Sequence, residues 1–395
     1  MKKCSPLLKK ILPILTLFSL TIIKQSIALA EIDLRFNSQC DRTEDINIVA
    51  VGDILLHEDL QTQATKETHR FQSIWSPVLP IIKNADIAYA NLEGPVAFRT
   101  DVMGKETENS DFIYDGKAYT SYPQFNYHPY LIDDIASSGF DVVSTANNHA
   151  LDRRAVGIDK TIDKLNQQNI LFSGTRKQMF GTVDEYEWQT ITESKGRKIA
   201  WISCTFSTNG IPDKFKQVLM CYTDTTKIIN MIKKLNSNPE IDAVIVTPHW
   251  GDEYQLKPNQ SQIKLGRLFI EEGATAVIGT HPHVIQPWEK YTTKDGREGF
   301  IIYSTGNFIS GQKPIERSTS TLIKLTLTGE PNSKLKIRGV GHLPLYLFRN
   351  KLSQVNPIFD YKNLPETSVN IWKNAFSERL RIKSINENEY NRICN

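Results

Sequence analysis

The chain is poor in sulfur and in imidazole: 395 residues hold five cysteines, five methionines and eight histidines. No pair of cysteines is spaced C-x-x-C, which argues against a dithiol redox motif or a zinc knuckle. There is no Gly-x-Ser-x-Gly elbow and no Gly-x-x-x-x-Gly-Lys loop, so neither a serine-hydrolase nucleophile nor ATP-driven polymerisation is expected. A basic excess is also missing. Residues 1–30 carry five lysines and no acids, so 47 less five, or 42, basic residues face 44 acidic ones in the remainder, a net of −2. Such a balance calls for no nucleic acid.

The first apolar run, 11–23, is shorter than the roughly 20 residues a membrane span needs. Lys2, Lys3, Lys9 and Lys10 precede it, and Ala28-Leu29-Ala30 closes the segment. Residues 1–30 therefore read as a secretory signal peptide. Export through the Sec pathway to the periplasm is expected. An uncleaved anchor, giving an extracellular or membrane-tethered protein, is the competing reading. Beyond this segment lie Cys40, Cys204, Cys221 and Cys394. An even count in an exported chain suggests two disulfides. Three pairings are open: Cys204–Cys221 closes a short loop, and Cys40–Cys394 joins the ends.

What the chain does have is an alternation of short apolar runs with helical periodicity. Strands are expected at 46–51, 86–90, 140–145, 170–172, 198–203, 241–246, 274–278 and 300–303. Helices are expected near 71–83, broken by Pro77 and Pro80, and at 130–138, 155–168, 225–235 and 260–271. Unbroken apolar strands between helices indicate an α/β fold with a largely parallel, two-sided sheet. The polar stretch 99–122 reads as a long lid or binding loop. Runs 321–327 and 335–341 read as an antiparallel pair. A basic amphipathic helix with Trp372, Phe376, Leu380 and Ile382 is expected to dock on the domain. We divide the chain into a signal at 1–30, a main domain at 45–328, and a C-terminal strand pair and helix at 329–395.

Ligands of open α/β sheets lie beyond the carboxyl ends of strands. Five of the expected strands end in donors: Asp53, Glu93, Asn148 with His149, His249, and His281 with His283. Each alone has an ordinary explanation, a turn, a cap or a packed ring. Together at one edge they point to a metal site. Carboxylates, an amide oxygen and imidazoles without thiolates suit Mn²⁺, Fe or Zn²⁺ better than Ca²⁺. The donor number suits two divalent ions about 3.5–4 Å apart, sharing an acid and activating a trapped water. His149 is suited to protonate a leaving oxygen, with Asp152 orienting it. Glu253, Tyr254, Ser304 and Asn307 are candidate substrate contacts, with packing as the competing role.

Gly52-Asp53, Asn91-Leu92-Glu93, Ala146-Asn147-Asn148-His149, His249-Trp250-Gly251 with Glu253-Tyr254, Gly279-Thr280-His281-Pro282-His283 and Tyr303-Ser304-Thr305-Gly306-Asn307-Phe308 resemble, in order, the blocks of the CapA family. These bacterial capsule or poly-γ-glutamate synthesis proteins are related to calcineurin-like metallophosphoesterases. The resemblance implies a four-layer α/β/β/α sandwich. It also implies metal-ligand roles for Asp53, Glu93, Asn148, His249, His281 and His283. Two departures stand out. The phosphoesterase first block is Asp-x-His, whereas Ile54-Leu55 follow Asp53 here and His57 comes four residues on. The bridging acid is Glu rather than Asp. The implied partners are an anionic envelope polymer or a phosphorylated intermediate, with a possible membrane synthesis complex. The implied activity is metal-dependent hydrolysis with His149 as general acid. A non-catalytic polymer-binding accessory for export or anchoring is the alternative.

Overall fold

The computed structural model describes residues 34–41, 43–108, 111–178 and 188–376. Its strands are β1 (Leu34–Arg35), β2 (Ile46–Leu55), β3 (Ile87–Leu92), β4 (Val142–Ser144), β5 (Leu171–Ser173), β6 (Gln189–Ser194), β7 (Arg197–Thr205), β8 (Ala243–His249), β9 (Ala276–Ile278), β10 (Ile285–Thr292), β11 (Glu298–Thr305), β12 (Ile309–Ser310), β13 (Thr319–Thr328), β14 (Lys336–Arg349) and β15 (Ser353–Pro357). They form two sheets. One runs β1-β14-β13-β2-β3-β4-β5, with β12 beside β2 and β15 beside β14; the other runs β10-β11-β9-β8-β7-β6. The centre of each sheet is parallel, through β2-β3-β4-β5 and β7-β8-β9-β11. Antiparallel strands flank both centres.

Alternation along the strands explains the layers. Ile48 and Ala50 of β2 point inward with Ile87 and Tyr89 of β3, and meet Trp201, Ile245, Ile278 and Ile302 of the other sheet in one buried cluster. Tyr89 and Trp201 stack across the sheets with centroids 5.3 Å apart. Val49, Val51, Ala88 and Ala90 point outward under Leu131, Ile135 and Leu165 of the helices. Val244, Val246 and Val277 pack outward against Ile228, Ile232, Phe269 and Ile270. The molecule is thus a four-layer α/β/β/α sandwich.

Some local expectations needed revision. The 71–83 segment breaks at its prolines as expected, though less of it is α-helical. Pro77 and Pro80 split it into two 3₁₀ turns (Arg70–Ile74, Ser76–Val78) and a short helix (Leu79–Lys83), because proline removes a donor and crowds the preceding turn. Polar edge strands β6 and β10 and the helix Glu58–Ala64 carried no apolar run to reveal them. Strand β13 pairs with both β14 and β2, so the antiparallel pair extends the larger sheet. The helix Glu366–Phe376 places Ile371, Trp372 and Phe376 in the inter-sheet core. Leu380 and Ile382 lie outside the described residues, as does the 1–30 segment. Among the described residues no helix is long and apolar enough to cross a membrane.

The 99–122 excursion is held down by buried side chains. The Arg153 guanidinium donates to the carbonyls of Thr100, Phe125 and Ala118. Asn126 donates to those of Ala97 and Ala118. Cys204, at the end of β7, is disulfide-bonded to Cys221. Cys40 is disulfide-bonded as well, and the other cysteine of the expected second pair, Cys394, lies outside the described residues. Closing a loop with a sequence separation of 17 restricts the unfolded chain by about 3 kcal/mol. The double variant Cys204→Ala/Cys221→Ala should lose about that much stability, read as a lowered denaturant midpoint with an m-value that rises as the released unfolded chain exposes more surface.

Candidate metal centre

The pocket lies where the carboxyl ends of both sheet centres meet, and local backbone devices aim the side chains into it. In the β2–β3 ladder Ala50 faces Tyr89 but Asp53 faces Asn91, so β2 carries one extra residue there. This bulge moves Asp53 from the helix-facing side to the inner side. A Cβ on Gly52 would sit 1.8 Å from the Gly306 carbonyl; the same carbonyl accepts from the Asp53 N–H at 3.2 Å. Only glycine permits that crossing. Gly279 plays the same part at the other strand, where a Cβ would meet the Tyr303 carbonyl at 2.1 Å. His281 and His283 then take φ of 98° and 60°. For non-glycine residues these are strained conformations of the kind that cluster at functional sites.

Asp53, Glu93 and His249 are fully buried, and Asn148, His281 and His283 nearly so. Asp53 Oδ2 lies 3.3 Å from His283 Nδ1. Glu93 Oε1 lies 3.6 Å from His249 Nε2 and 3.9 Å from His283 Nε2. His249 Nε2 meets Asn148 Oδ1 at 2.8 Å and His281 Nδ1 at 3.2 Å. The six residues expected to bind metal therefore converge on one pocket. His149 stands at its side, its Nδ1–H donating to Asp152 Oδ2 at 2.7 Å. Asp152 Oδ2 also accepts from the Phe125 N–H at 2.6 Å.

The electrostatics are those of a site built around positive charge. Asp53 Oδ2 and both Glu93 oxygens are buried without a hydrogen-bond partner. Burial, and then the Asp53 carboxylate, push the Glu93 carboxyl well above its ordinary range. Burial, and then neighbouring imidazoles, hold His249 and His281 well below theirs. Neutral rings cannot compensate these carboxylates, whereas a divalent cation can. Two groups of three have donor atoms within 4.8 Å of one another: Asp53, Glu93 and His283, and Glu253, His281 and His283. The donor set fits divalent ions.

The other expected residues divide. Glu253 is exposed at the mouth, within reach of His281 and His283. The half-exposed Tyr254 ring lies under the Arg317 guanidinium at 3.3 Å and 6.1 Å from the His283 ring. Ser304 is fully buried, with its hydroxyl donating to the Val284 carbonyl, so it braces the strand end. Asn307 accepts from His283 Nδ1–H at 3.0 Å and donates to the Arg317 carbonyl, so it orients a ring. His57 has moved off to precede the helix Glu58–Ala64, its Nδ1 between the Leu55 carbonyl and the Gly311 N–H.

Sequence reasoning missed some of the supporting residues. Asn91 donates to Asp53 Oδ1 at 2.7 Å and lies 3.2 Å from His249 Nδ1. Thr280 hydrogen-bonds the same nitrogen. Phe125 sets its ring edge against both His57 and His149. Asn91 stood within a block of the motif, and its place two residues before Glu93 on one strand was the available signal.

The arrangement defines the class: a two-sheet α/β/β/α sandwich whose strand ends gather histidines, carboxylates and an amide in one pocket. Within that class, residues 47–312 match the family described as "Bacterial capsule synthesis protein PGA_cap", and the chain belongs to it. It is 25% identical over 323 residues to "Capsule biosynthesis protein CapA" of Bacillus anthracis, covering 80% of this chain and 71% of that protein. It is 26% identical over 288 residues to "PGA biosynthesis protein CapA" of Bacillus subtilis, covering 73% and 69%. Similar solved structures include a Mycoplasma pneumoniae phosphatase (TM-score 0.41, 15% identity, 82% of this chain and 100% of that one). Another is the Haemophilus influenzae NAD nucleotidase (TM-score 0.46, 11% identity, 85% and 60%).

The carboxylate pair gives a signed prediction. With its carboxyl raised, Glu93 in the metal-free fold costs stability as pH rises above an unfolded value of about 4.3. Glu93→Gln should therefore raise the melting temperature in EDTA at pH 7.5 and lose most of the further rise that Mn²⁺ gives wild type. The depressed histidines act at the other end. Below about pH 6.5 the unfolded chain takes up protons that His249 and His281 resist, so metal-free protein should lose stability on acidification through that region. Thermal melts across pH, with and without Mn²⁺, check both.

Proposed function

We propose that this protein acts in capsule or poly-γ-glutamate production as an exported, metal-dependent hydrolase-like protein. Its substrate on this reading is an anionic envelope polymer or a phosphorylated intermediate. One observation carries the reading: three buried carboxylate oxygens without partners lie among three imidazoles and an amide. Asp53, Glu93, Asn148, His249, His281 and His283 would hold two divalent ions, Mn²⁺, Fe or Zn²⁺. When bound, such ions supply Lewis acidity and an activated water.

The chain's own groups do the rest. Asp152 fixes the Nδ1 proton of His149, which leaves Nε2 to deliver or take a proton. Phe125 and the buried setting exclude water around that ring. Asn91 and Thr280 orient Asp53 and His249, and Asn307 orients His283. Export rests on the 1–30 segment, and a membrane synthesis complex is the partner consistent with it.

A second reading is favoured by one departure: no histidine stands two residues after Asp53. On that reading the pocket binds an anionic polymer for export or anchoring without turning it over. The test is hydrolysis of p-nitrophenyl phosphate and of poly-γ-glutamate with added Mn²⁺. His149→Ala should lower turnover by about 10²–10⁴-fold while metal content stays at the wild-type level. Stoichiometric metal with no turnover on either substrate would instead support the accessory reading.

A further inference from the structure

The metallophosphoesterase pattern expects a histidine two residues after the first-strand acid, and this chain has none. Ile54 and Leu55 are both part of the apolar core under the helices. His57 belongs to neither group of clustered donors. The pocket is thus one donor short on that side. At its mouth stands the exposed carboxylate of Glu253, a candidate substrate contact by sequence. Its oxygen lies within 4.8 Å of a ring nitrogen of both His281 and His283. No ion pair ties it to a described lysine or arginine.

Its position is fixed. The Trp250 N–H donates to the Thr280 carbonyl at 3.1 Å, and the Tyr254 N–H donates to the Pro282 carbonyl at 2.8 Å. These two bonds lash the 250–254 turn along the His281–His283 segment. Gly251 has φ of 92°, and a Cβ there would lie 2.5 Å from the Gln262 side chain. Tyr254 has φ of 65°, a costly conformation for an aromatic residue. The Arg317 guanidinium covers its ring. A merely solvated glutamate needs none of this. We infer that Glu253 is a metal ligand, donating a carboxylate oxygen to an ion held with His281 and His283 and making good the histidine absent after Asp53.

This inference rests on the metal-binding reading above, and the experiment separates the two. Wild type, Glu253→Gln, Glu253→Cys and Asp252→Asn are purified, stripped with chelator, reloaded with Mn²⁺ or Co²⁺, and assayed for bound metal by mass spectrometry and titration calorimetry. Glu253 and Asp252 are both exposed, so the metal-free melting temperatures should agree and report an intact fold. Glu253→Gln should lose one equivalent of metal or bind it at least about tenfold more weakly, the lower bound even for a group one bond removed from the ion. Asp252→Asn should bind as wild type. Glu253→Cys loaded with Co²⁺ should show a thiolate-to-cobalt charge-transfer band, which only direct ligation produces. Undiminished metal in Glu253→Gln overturns the inference, as does a Glu253→Cys protein that binds Co²⁺ without the band. Wild type that binds no metal at all sinks the underlying reading, and the inference with it.

Discussion

The pocket depends on one electrostatic constraint. Asp53 and Glu93 are removed from water with three carboxylate oxygens unpaired, and burial of an uncompensated carboxylate costs several kcal/mol. The neighbouring rings offer little relief, because burial keeps His249 and His281 in their neutral form. A fold optimised for stability alone would fill this space with apolar side chains. Retaining acids and imidazoles there makes sense only where an ion repays the cost by binding the folded state and not the unfolded one. A bound ion would therefore couple this arrangement to folding.

Holding that arrangement requires both sheets. Asp53, Glu93 and Asn148 come from β2, β3 and the turn after β4; His249, His281 and His283 come from β8 and the turn after β9. The two halves are registered by the dry contact between sheets, of which the Tyr89–Trp201 stack is part. Small residues set the final approach. Gly52 and Gly279 each let another backbone pass where a methyl group could not fit, so the strand ends close to within hydrogen-bond distance. The chain accepts strain at His281 and His283 for the same purpose.

Much of this was legible in the sequence, for a physical reason. Parallel strands buried on both faces must be apolar throughout, so their ends are marked by the first polar residue, and in this fold those ends are the site. Asp53, Glu93, Asn148, His249, His281 and His283 could be named on that ground. The edge strands β6 and β10 could not, since one face of each is solvated and no unbroken apolar run marks them. The bulge at Gly52–Asp53 was also invisible. An extra residue in one strand leaves no trace in composition, yet it decides which face Asp53 takes. For Ser304 and Asn307 the sequence left substrate contact and bracing both open, because it places a side chain near a site without saying which way it points; one bonds the Val284 carbonyl and the other a histidine ring.

The first block shows how a scaffold can keep its architecture while changing its donors. Once Ile54 and Leu55 continue β2 into the hydrophobic core, a histidine at either position would have to leave an apolar cluster to reach the pocket. The added burial favours the strand over the ligand at roughly 1.5–3 kcal/mol for each fully buried aliphatic side chain. On the inference that Glu253 is a ligand, a donor comes instead from outside the sheet. Among the described residues, segment 250–254 is lashed along the turn after β9 by two backbone hydrogen bonds, and it carries Asp252 and Glu253 in exposed positions. A donor on this exposed turn is more accessible to solvent and substrate than one at the floor of the pocket. The exchange would make that side of the centre more open.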